Sequence, residues 1–486
     1  MITNLQAIVL AAGKSTRFNI DKSKMLEKIC GQEMILYTTR LLEQLKIPTT
    51  VVVGYQKEAV QEPIINFHKD RIHFEVQEEQ HGTGHAILCA RNSFKEEHIL
   101  IMNGDMPLVT SDIIERLYNK HIESQASVSF IVAHNDDPSG VSYGRVVKAN
   151  NNKIKIVEAK DFNGDYTDHC CINAGIYIVS KRFLENNIEV IEKNDESKEF
   201  YFTDIIKIAS DQNETITTIQ TSFDRIRGIN NFQELWAAEQ IKRAELIKYW
   251  MDCGVRFSVA QNVHIDLDVT IGSGSYIACG VHILQGSKIG QNCYIHEFSA
   301  VENSTLEDNV TILSHCIIKD SYIGYAASVG PFAHVTSSSR LEAHAVIGNF
   351  VEVKRSTIGI HSKAKHLAYL GDAQIGNNVN IGAGTITCNY NGVHKNQTVI
   401  KDGAFISSNN SLVAPVVVEK NAFTAAGSTI TDFVPEDALA IARSRQINKE
   451  GYAKKIRARA QNNNEEDTSF IGAVKTKNDS KISEGQ

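Results

Sequence analysis

At 486 residues with 42% hydrophobic and 7% aromatic content, the chain exceeds one ordinary domain, carries enough apolar material for packed cores, and reads as roughly two to four domains. A net charge of -7 excludes a general electrostatic attraction to nucleic acid or anionic membrane, so small anionic ligands would need local basic sites. The nine cysteines include no C-x-x-C pair, which argues against a zinc or disulfide framework and for a reducing, cytoplasmic setting. No apolar run approaches the ~20 residues that cross a bilayer. The first apolar run lacks a basic leader segment and reads as a strand.

That run, "AIVLAAGKSTRF" from Ala7 to Phe18, has a Gly-Lys-Ser but no glycine four positions earlier, so it is not a Walker loop. With Gly13 alone it is not a dinucleotide fingerprint either. Along residues 1–230, "QAIVLAA", "TTVVVGY", "HILIMNGD" and "SVSFIVA" read as strands and "ILYTTRLLEQL" and "SDIIERLYNKHI" as amphipathic helices. Such alternation predicts an α/β domain with a mainly parallel sheet, whose ligands sit beyond the carboxyl ends of the strands. Gly13 to Arg17 and Asn103-Gly104-Asp105 both fall there.

Residues 231–253 hold an uninterrupted "FQELWAAEQIKRAELIKYWMDC", free of Gly and Pro, which reads as one long linker helix. From 254 the period becomes six. Apolar residues recur at Ile271, Ile277, Ile283, Ile289, Ile295 and Val301, slip by one to Leu306, and continue through Ile312, Ile318, Ile323, Val329, Val335, Leu341, Ile347 and Val353. The register resumes at Ile400, Ile406, Leu412 and Val418, with Thr424 in the slot before Ile430. A sixfold period fits neither a helix nor a single strand; it describes the flat faces of a parallel β-helix, three hexads per coil of about eighteen residues and roughly eight or nine coils. "CNYNGVHKNQ", Cys388 to Gln397, breaks the spacing and must bulge out as a loop, a candidate functional site. The tail at 453–486 starts as a basic helix and becomes polar without periodicity, with disorder expected at its end.

"LAAGKSTRF", "DKSKML", "EEQHGTGHA" and "NGDMPL" resemble the sugar-nucleotide pyrophosphorylases. With the hexapeptide half, residues 5 to 452 resemble the bacterial bifunctional N-acetylglucosamine-1-phosphate uridyltransferase / glucosamine-1-phosphate acetyltransferase family. The resemblance implies a Rossmann-like nucleotidyltransferase domain, a linker helix and a left-handed parallel β-helix, with UTP, sugar 1-phosphates and acetyl-CoA as substrates, Mg²⁺ as cofactor and a homotrimer as the assembly. Leu10, Ala11, Ala12 and Gly13 would hold the nucleotide, while Arg17 and Lys24 would face the triphosphate and the transition state. Attack of one anion on another requires positioning and charge neutralisation. Gln77, Gly82 and Thr83 match the uracil-reading segment. Asp105 and Asn230 match the metal ligands, and Gly144, Glu158 and Asn173 the residues that hold the amino sugar.

In the β-helix, His366 matches the family's general base. Acetyl transfer proceeds on a neutral amine, and an imidazole with an ordinary pKa near 6.5 suits the removal of its proton. Lys354 would face the sugar phosphate, with Tyr369 and Asn380 on the sugar. Ala383, Asn389, Tyr390, Ser408 and Ala426 would line the acetyl-CoA channel, and Arg443 would pair with its phosphates. His264, His282, His296 and His315 receive no role. Two departures stand out. Ser15 replaces a common glycine, which would strain the loop if the position takes a positive φ. His334 and Thr336 stand where the family has arginines after "GPFA", one of them a phosphate ligand, so recognition would rest on Lys354 with help from Arg340, Lys363 or Lys365. The rival reading is a single-function nucleotidyltransferase whose hexapeptide half only assembles subunits.

Overall fold

The computed structural model describes residues 2–18, 21–134, 143–148, 153–159, 161–162, 171–195 and 197–461. The first half runs β1 (Leu5–Ala11), β2 (Lys28–Ile29), β3 (Gln32–Glu33), α1 (Met34–Gln44), β4 (Thr49–Val53), α2 (Lys57–His68), β5 (Ile72–Val76), α3 (Thr83–Cys89), β6 (His98–Asn103) and α4 (Ser111–Glu123). It continues through β7 (Val128–His134), β8 (Arg145–Lys148), β9 (Ile154–Val157), β10 (Cys171–Ser180), α5 (Lys181–Asn187), α6 (Asp204–Asp211) and β11 (Ile216–Ser222) to the long α7 (Phe232–Asp252).

The main sheet has the order β11-β7-β10-β6-β1-β4-β5. β1 pairs in parallel with both β4 and β6, and β4 with β5, as the alternation of strands and helices predicts. β10 runs antiparallel between β6 and β7, and its register shifts between Asn173 and Tyr177. Both faces of β1 are buried: Ala7, Val9 and Ala11 pack with Ile35, Ile113 and Leu117, while Ile8 packs on the other side with Ile87, Phe130 and Ile205. Such two-sided burial explains why β1 reads as a continuous apolar run.

α7 begins at Asn231, whose side chain accepts from the Glu234 amide at 2.8 Å and so satisfies one free donor of the first turn. Its Leu235 and Ala238 join Phe18, Ile29 and Met34, while Trp250 near its far end joins the β-helix core. The amide of Leu267 also donates to the carbonyl of Cys30 at 2.9 Å, tying the β2–β3 hairpin to the first coil.

Beyond α7, short parallel strands stack coil on coil. One face forms a nine-stranded sheet and the other two share a nineteen-stranded path. At a spacing of about 4.8 Å, nine rungs give a column about 40 Å long. All the hexad positions named above are buried, and Thr424 fills its slot with its hydroxyl accepting from the Ser407 amide at 3.2 Å. The expected eighteen-residue coil holds from Tyr276 to Tyr294, but the next steps, to Thr311 and Ser328, take seventeen.

The shorter step has a local cause. At one corner of the column, two of the six-residue spacings, Ile283–Ile289 and Val335–Leu341, contain two residues with left-handed backbone, Gln285-Gly286 and Ser337-Ser338. The five-residue spacings contain one, at Asn303, Asp320, Arg355 or Asp372. Removing one left-handed residue therefore shortens the coil by one without turning the inward side chains outward. The insertion behaves as expected: Asn380 pairs with Phe405 across it, and the loop projects between the strands Ile386–Cys388 and Thr398–Ile400. Residues 452–461 are helical and exposed. The rest of the tail lies outside the described residues, as does Cys170; every described cysteine is unpaired.

Candidate active sites

The first site lies at the carboxyl ends of β1, β5 and β6. After β1 the chain loses regular structure at Ala12 to Ser15, and the neighbouring strands hold this loop: Gly104 donates to the Leu10 carbonyl at 2.9 Å and Tyr55 to that of Ala12 at 3.1 Å. Ala11 is buried, Gly13 is exposed, and a methyl group added at Gly13 would meet no protein atom within 4 Å, so that side of the loop is open to a ligand. Ser15 is not in the left-handed region, and its hydroxyl accepts from the Lys24 amide at 2.8 Å. Serine is accommodated there and helps to set Lys24. Arg17 is exposed next to this loop.

Lys24 Nζ is surrounded by three oxygens: Asp105 Oδ2 at 2.5 Å, the Ile229 carbonyl at 2.9 Å and Asn230 Oδ1 at 3.0 Å. Asp105 is buried, and its carbonyl accepts from the Ile229 amide at 3.1 Å. Asn230 is fixed from the other side, where Glu234 in the first turn of α7 accepts from its amide at 2.6 Å. The turn after β6 and the start of α7 thus aim two side-chain oxygens and one carbonyl at a single cation. This donor set suits Mg²⁺, which favours hard oxygens and takes one or two protein ligands alongside phosphates. Among the described residues no cluster of three His, Cys, Asp or Glu offers an alternative metal centre.

Gln77, buried at the end of β5, donates from Nε2 to the Gly82 carbonyl at 3.1 Å and contacts His85 Nδ1 at 3.0 Å. Both contacts employ the amide nitrogen, which leaves Oε1 as the group able to accept from a base edge. Gly82 has φ +98, and a Cβ there would lie 2.6 Å from the Phe200 carbonyl, so only glycine fits. The exposed Thr83 accepts from the Phe202 amide at 3.0 Å. Gly144, Glu158 and Asn173 come together in the structure. Asn173 N donates to the Gly144 carbonyl at 2.9 Å, and a Cβ on Gly144 would lie 3.7 Å from Glu158 Oε2. Thr203 donates to Glu158 at 2.7 Å and Asn173 contacts the Tyr177 hydroxyl at 2.5 Å. Burial pushes the Tyr177 phenol well above its ordinary range, keeping it a neutral hydrogen-bonding group.

The second site follows one edge of the β-helix. His366 is exposed on that edge, and its Nδ1 contacts Asn349 Oδ1 at 2.9 Å, from one coil below. An amide oxygen accepts only, so Nδ1 is the donor, and in the neutral ring Nε2 keeps its lone pair. Farther along the same edge stand Ala383, Ser408 and Ala426, linked by amide donation from Asn409 to the Ala383 carbonyl at 2.7 Å and from Gly427 to that of Ser408 at 2.9 Å. Arg443 is exposed, with its Cδ 3.9 Å from a Cβ built on Gly427.

Tyr369 and Lys354 lie on one face beside this edge, where Glu352 pairs with Tyr369 and Lys354 with Gly371. Asn380 lies on the adjacent face, paired with Lys363 and Phe405, so the structure sets Tyr369 and Asn380 on opposite sides of the His366 edge. Asn389 is buried at the foot of the inserted loop, and the exposed Tyr390 bridges Lys395 within it. Thr336 pairs with Lys354 in the rung at the expected phosphate position. Arg340 cannot assist there. It belongs to the nine-stranded face, holds Glu342 and lies 3.8 Å over the Tyr322 ring. Lys363 and Lys365 remain exposed on the strand that carries His366.

Residues 7–159 match the model of the MobA-like NTP transferase domain, and residues 259–358 match that of the GMPPB C-terminal domain. The chain is 41% identical over 454 residues to the bifunctional protein GlmU of Exiguobacterium sp. (strain ATCC BAA-1283 / AT1b), covering 92% of this chain and 99% of that one. It belongs to the bifunctional GlmU family. Its likeness to the GlmU of Alkaliphilus metalliredigens is 37% over 452 residues, with 92% and 98% coverage.

Within this GlmU family chain several residues at the two sites escaped the sequence reading. Glu234 and Tyr177 each hold a site residue four positions earlier, Asn230 and Asn173, whereas Thr203 reaches Glu158 across 45 positions through a bond that only the tertiary fold creates. Asn349 and Glu352 were accessible in principle. Each lies seventeen residues before a named site residue, His366 and Tyr369, which is one coil.

Proposed function

We propose that this protein makes UDP-N-acetylglucosamine by two reactions at separate sites. In the β-helix, acetyl-CoA acetylates the amine of glucosamine 1-phosphate. In the N-terminal domain, the resulting N-acetylglucosamine 1-phosphate attacks the α-phosphorus of UTP and releases pyrophosphate. The observation that carries the two-activity reading is the exposed His366 with its tautomer set by Asn349, on a chain whose other half presents the Lys24–Asp105–Asn230 cluster.

For acetyl transfer, the neutral amine nitrogen attacks the thioester carbon as Nε2 of His366 takes the proton it loses; the C–S bond then breaks, and the coenzyme A thiolate leaves with that proton returned from the imidazolium, as the free thiol. Glu352, one coil from Tyr369 on the same face, offers a carboxylate to the ammonium form of the substrate, which loses one proton to reach the neutral amine before attack. Lys354 supplies the positive charge for the sugar phosphate, while Asn389, Tyr390 and Arg443 receive acetyl-CoA.

For uridyl transfer, the loop Leu10 to Gly13 cradles the triphosphate, Gln77 and Gly82 read uracil, and Gly144, Glu158 and Asn173 orient the sugar. Arg17 and Lys24 neutralise charge that builds on the phosphates. Asp105 and Asn230 would hold Mg²⁺, whose chemistry when bound is to screen the phosphate oxygens.

The residues divide accordingly into a uridyltransferase unit at 1–230, a linker at 231–253, an acetyltransferase unit at 254–452 and a tail at 453–486. Side-by-side association of three columns is supported by the His366 edge itself. Site residues lie on both faces next to it, and the Phe298, His315, Phe332 and Phe350 rings stack along it 4.9–5.5 Å apart. Phe298, Phe332, Phe350 and Leu367 are about half exposed or more, an apolar strip suited to burial against a neighbour. A cytoplasmic setting agrees with the unpaired cysteines and with the described helices, none of which is long and apolar enough to cross a membrane.

A coupled assay of both half-reactions on one purified sample tests the reading. Formation of UDP-N-acetylglucosamine from glucosamine 1-phosphate, UTP and acetyl-CoA is expected. Uridyl transfer without thiol release from acetyl-CoA at millimolar acceptor would leave the β-helix as an assembly module alone.

A further inference from the structure

Three residues one coil apart form a connected group beside the acetyl-transfer face. Arg355 donates to Asp372 from Nε at 2.7 Å and from a terminal nitrogen at 2.9 Å. The same carboxylate receives Asn389 Nδ2 at 2.5 Å, and Asn389 Nδ2 lies 3.5 Å from the Tyr369 hydroxyl. The backbone of Asp372 holds the far end of the insertion too: its carbonyl accepts from the Thr398 amide at 3.1 Å. Its own amide donates to the Lys354 carbonyl at 3.0 Å, on the coil below. One left-handed corner residue therefore grips both feet of the loop that carries Asn389 and Tyr390, and is itself attached to the strand that ends at Lys354.

We infer that Asp372, held in place by Arg355, is a positioning residue for acetyl transfer: it fixes the inserted loop and aligns Asn389 and Tyr369 toward the bound substrates. This inference rests on the acetyltransferase reading of the site. The ion pair is poorly placed to serve stability alone. Its side chains are 32% and 19% exposed, so solvent screens part of what the pair contributes to folding. A two-pronged guanidinium contact does, however, fix the orientation of a carboxylate. The paired guanidinium holds the Asp372 carboxyl below the usual carboxylate range, so both its oxygens accept at neutral pH. Tyr369 has little room to compensate for a shift, because its hydroxyl lies 2.4 Å from where a Cβ on Gly371 would stand.

The test uses the full-length protein and compares Asp372→Ala, Arg355→Gln and Arg355→Lys in steady-state acetyl transfer. The expected result is a rise of about tenfold in the acetyl-CoA KM for Asp372→Ala and Arg355→Gln, with partial recovery in Arg355→Lys, which keeps the charge but not the fork. The double variant Arg355→Gln/Asp372→Ala should be no worse than the worse single change, since both break one contact. Uridyl transfer and far-ultraviolet circular dichroism on the same samples report that the chain remains folded. KM values for acetyl-CoA and acceptor within twofold of the unmodified protein overturn the inference, as does a lowered melting temperature with unaltered KM. Absence of acetyl transfer in the unmodified protein overturns the underlying reading instead, and the inference with it.

Discussion

Lys24 Nζ lies 2.5 Å from Oδ2 of Asp105, although the two residues are 81 positions apart in the chain. Both are largely shielded, with side chains 14% and 11% exposed, and Asn230 adds a third group from the start of α7. The contact concentrates the cation chemistry of the N-terminal half at one point. Asp105→Ala is therefore expected to lower uridyl transfer by about a hundredfold or more while acetyl transfer stays within twofold. Parallel rate measurements on one sample check this, and loss of both activities in a folded protein would contradict separate sites.

The Asn349–His366 hydrogen bond leads to a second expectation. His366→Ala should reduce acetyl transfer by about 10²- to 10⁴-fold, the range for a lost general base, and leave uridyl transfer unaffected. Asn349→Ala removes the acceptor that keeps the proton on Nδ1 without removing the imidazole. A roughly tenfold fall in kcat is expected, with an altered pH–rate profile and a nearly unchanged acceptor KM.

Thr336 pairs with Lys354 where a guanidinium could meet the sugar phosphate. Thr336→Arg should lower the KM for glucosamine 1-phosphate roughly tenfold, the order of one charge-assisted hydrogen bond. An acceptor titration at saturating acetyl-CoA measures it. An unchanged KM would place the phosphate elsewhere on the face.

A buried histidine gives a pH dependence to the N-terminal sheet. His121 is fully buried, contacts Ser129 Oγ at 2.6 Å and His98 Nδ1 at 3.0 Å, and is pushed down to about 4, first by burial and then by His98. The unfolded chain binds a proton near pH 6.5 that the folded protein refuses until about pH 4. Its contribution is thus fully present above about pH 6.5 and is lost as pH falls toward 4, on the order of 3 kcal/mol in all. The melting temperature should drop across that window, and by less in His121→Gln. An equal drop in both proteins would assign the effect to other groups.

Much of the second half was readable because an inward side chain repeats at a fixed interval, and each of Ile271 to Val353 in that series is buried. The one-residue slip at Leu306 was visible, but its cause, a single left-handed corner at Asn303, belongs to backbone geometry. In the first half, β10 could not be given a direction in advance, since a strand covered on both faces shows the same apolar run whichever way it points. β8 and β9 are short and half-buried and carry no clear alternation. At the sites, His366, Asp105, Asn230 and their cation Lys24 came from motif likeness, whereas Asn349 and Glu234, which hold His366 and Asn230, did not. Arg355 and Asp372, which hold the motif residue Asn389, were separable from ordinary surface residues only by reading the sequence at a seventeen-residue stride.

The insertion after Cys388 has an effect that reaches past this one protein. Because Asn380 meets Phe405 and every later rung falls back into step, the column above and below is insensitive to how many residues lie in the excursion. Closing a longer excursion costs little, about 0.6 kcal/mol per doubling. The outgrowth is thus an exchangeable cassette, in which new recognition chemistry can be tried by swapping its contents while the scaffold that supports it stays as it is.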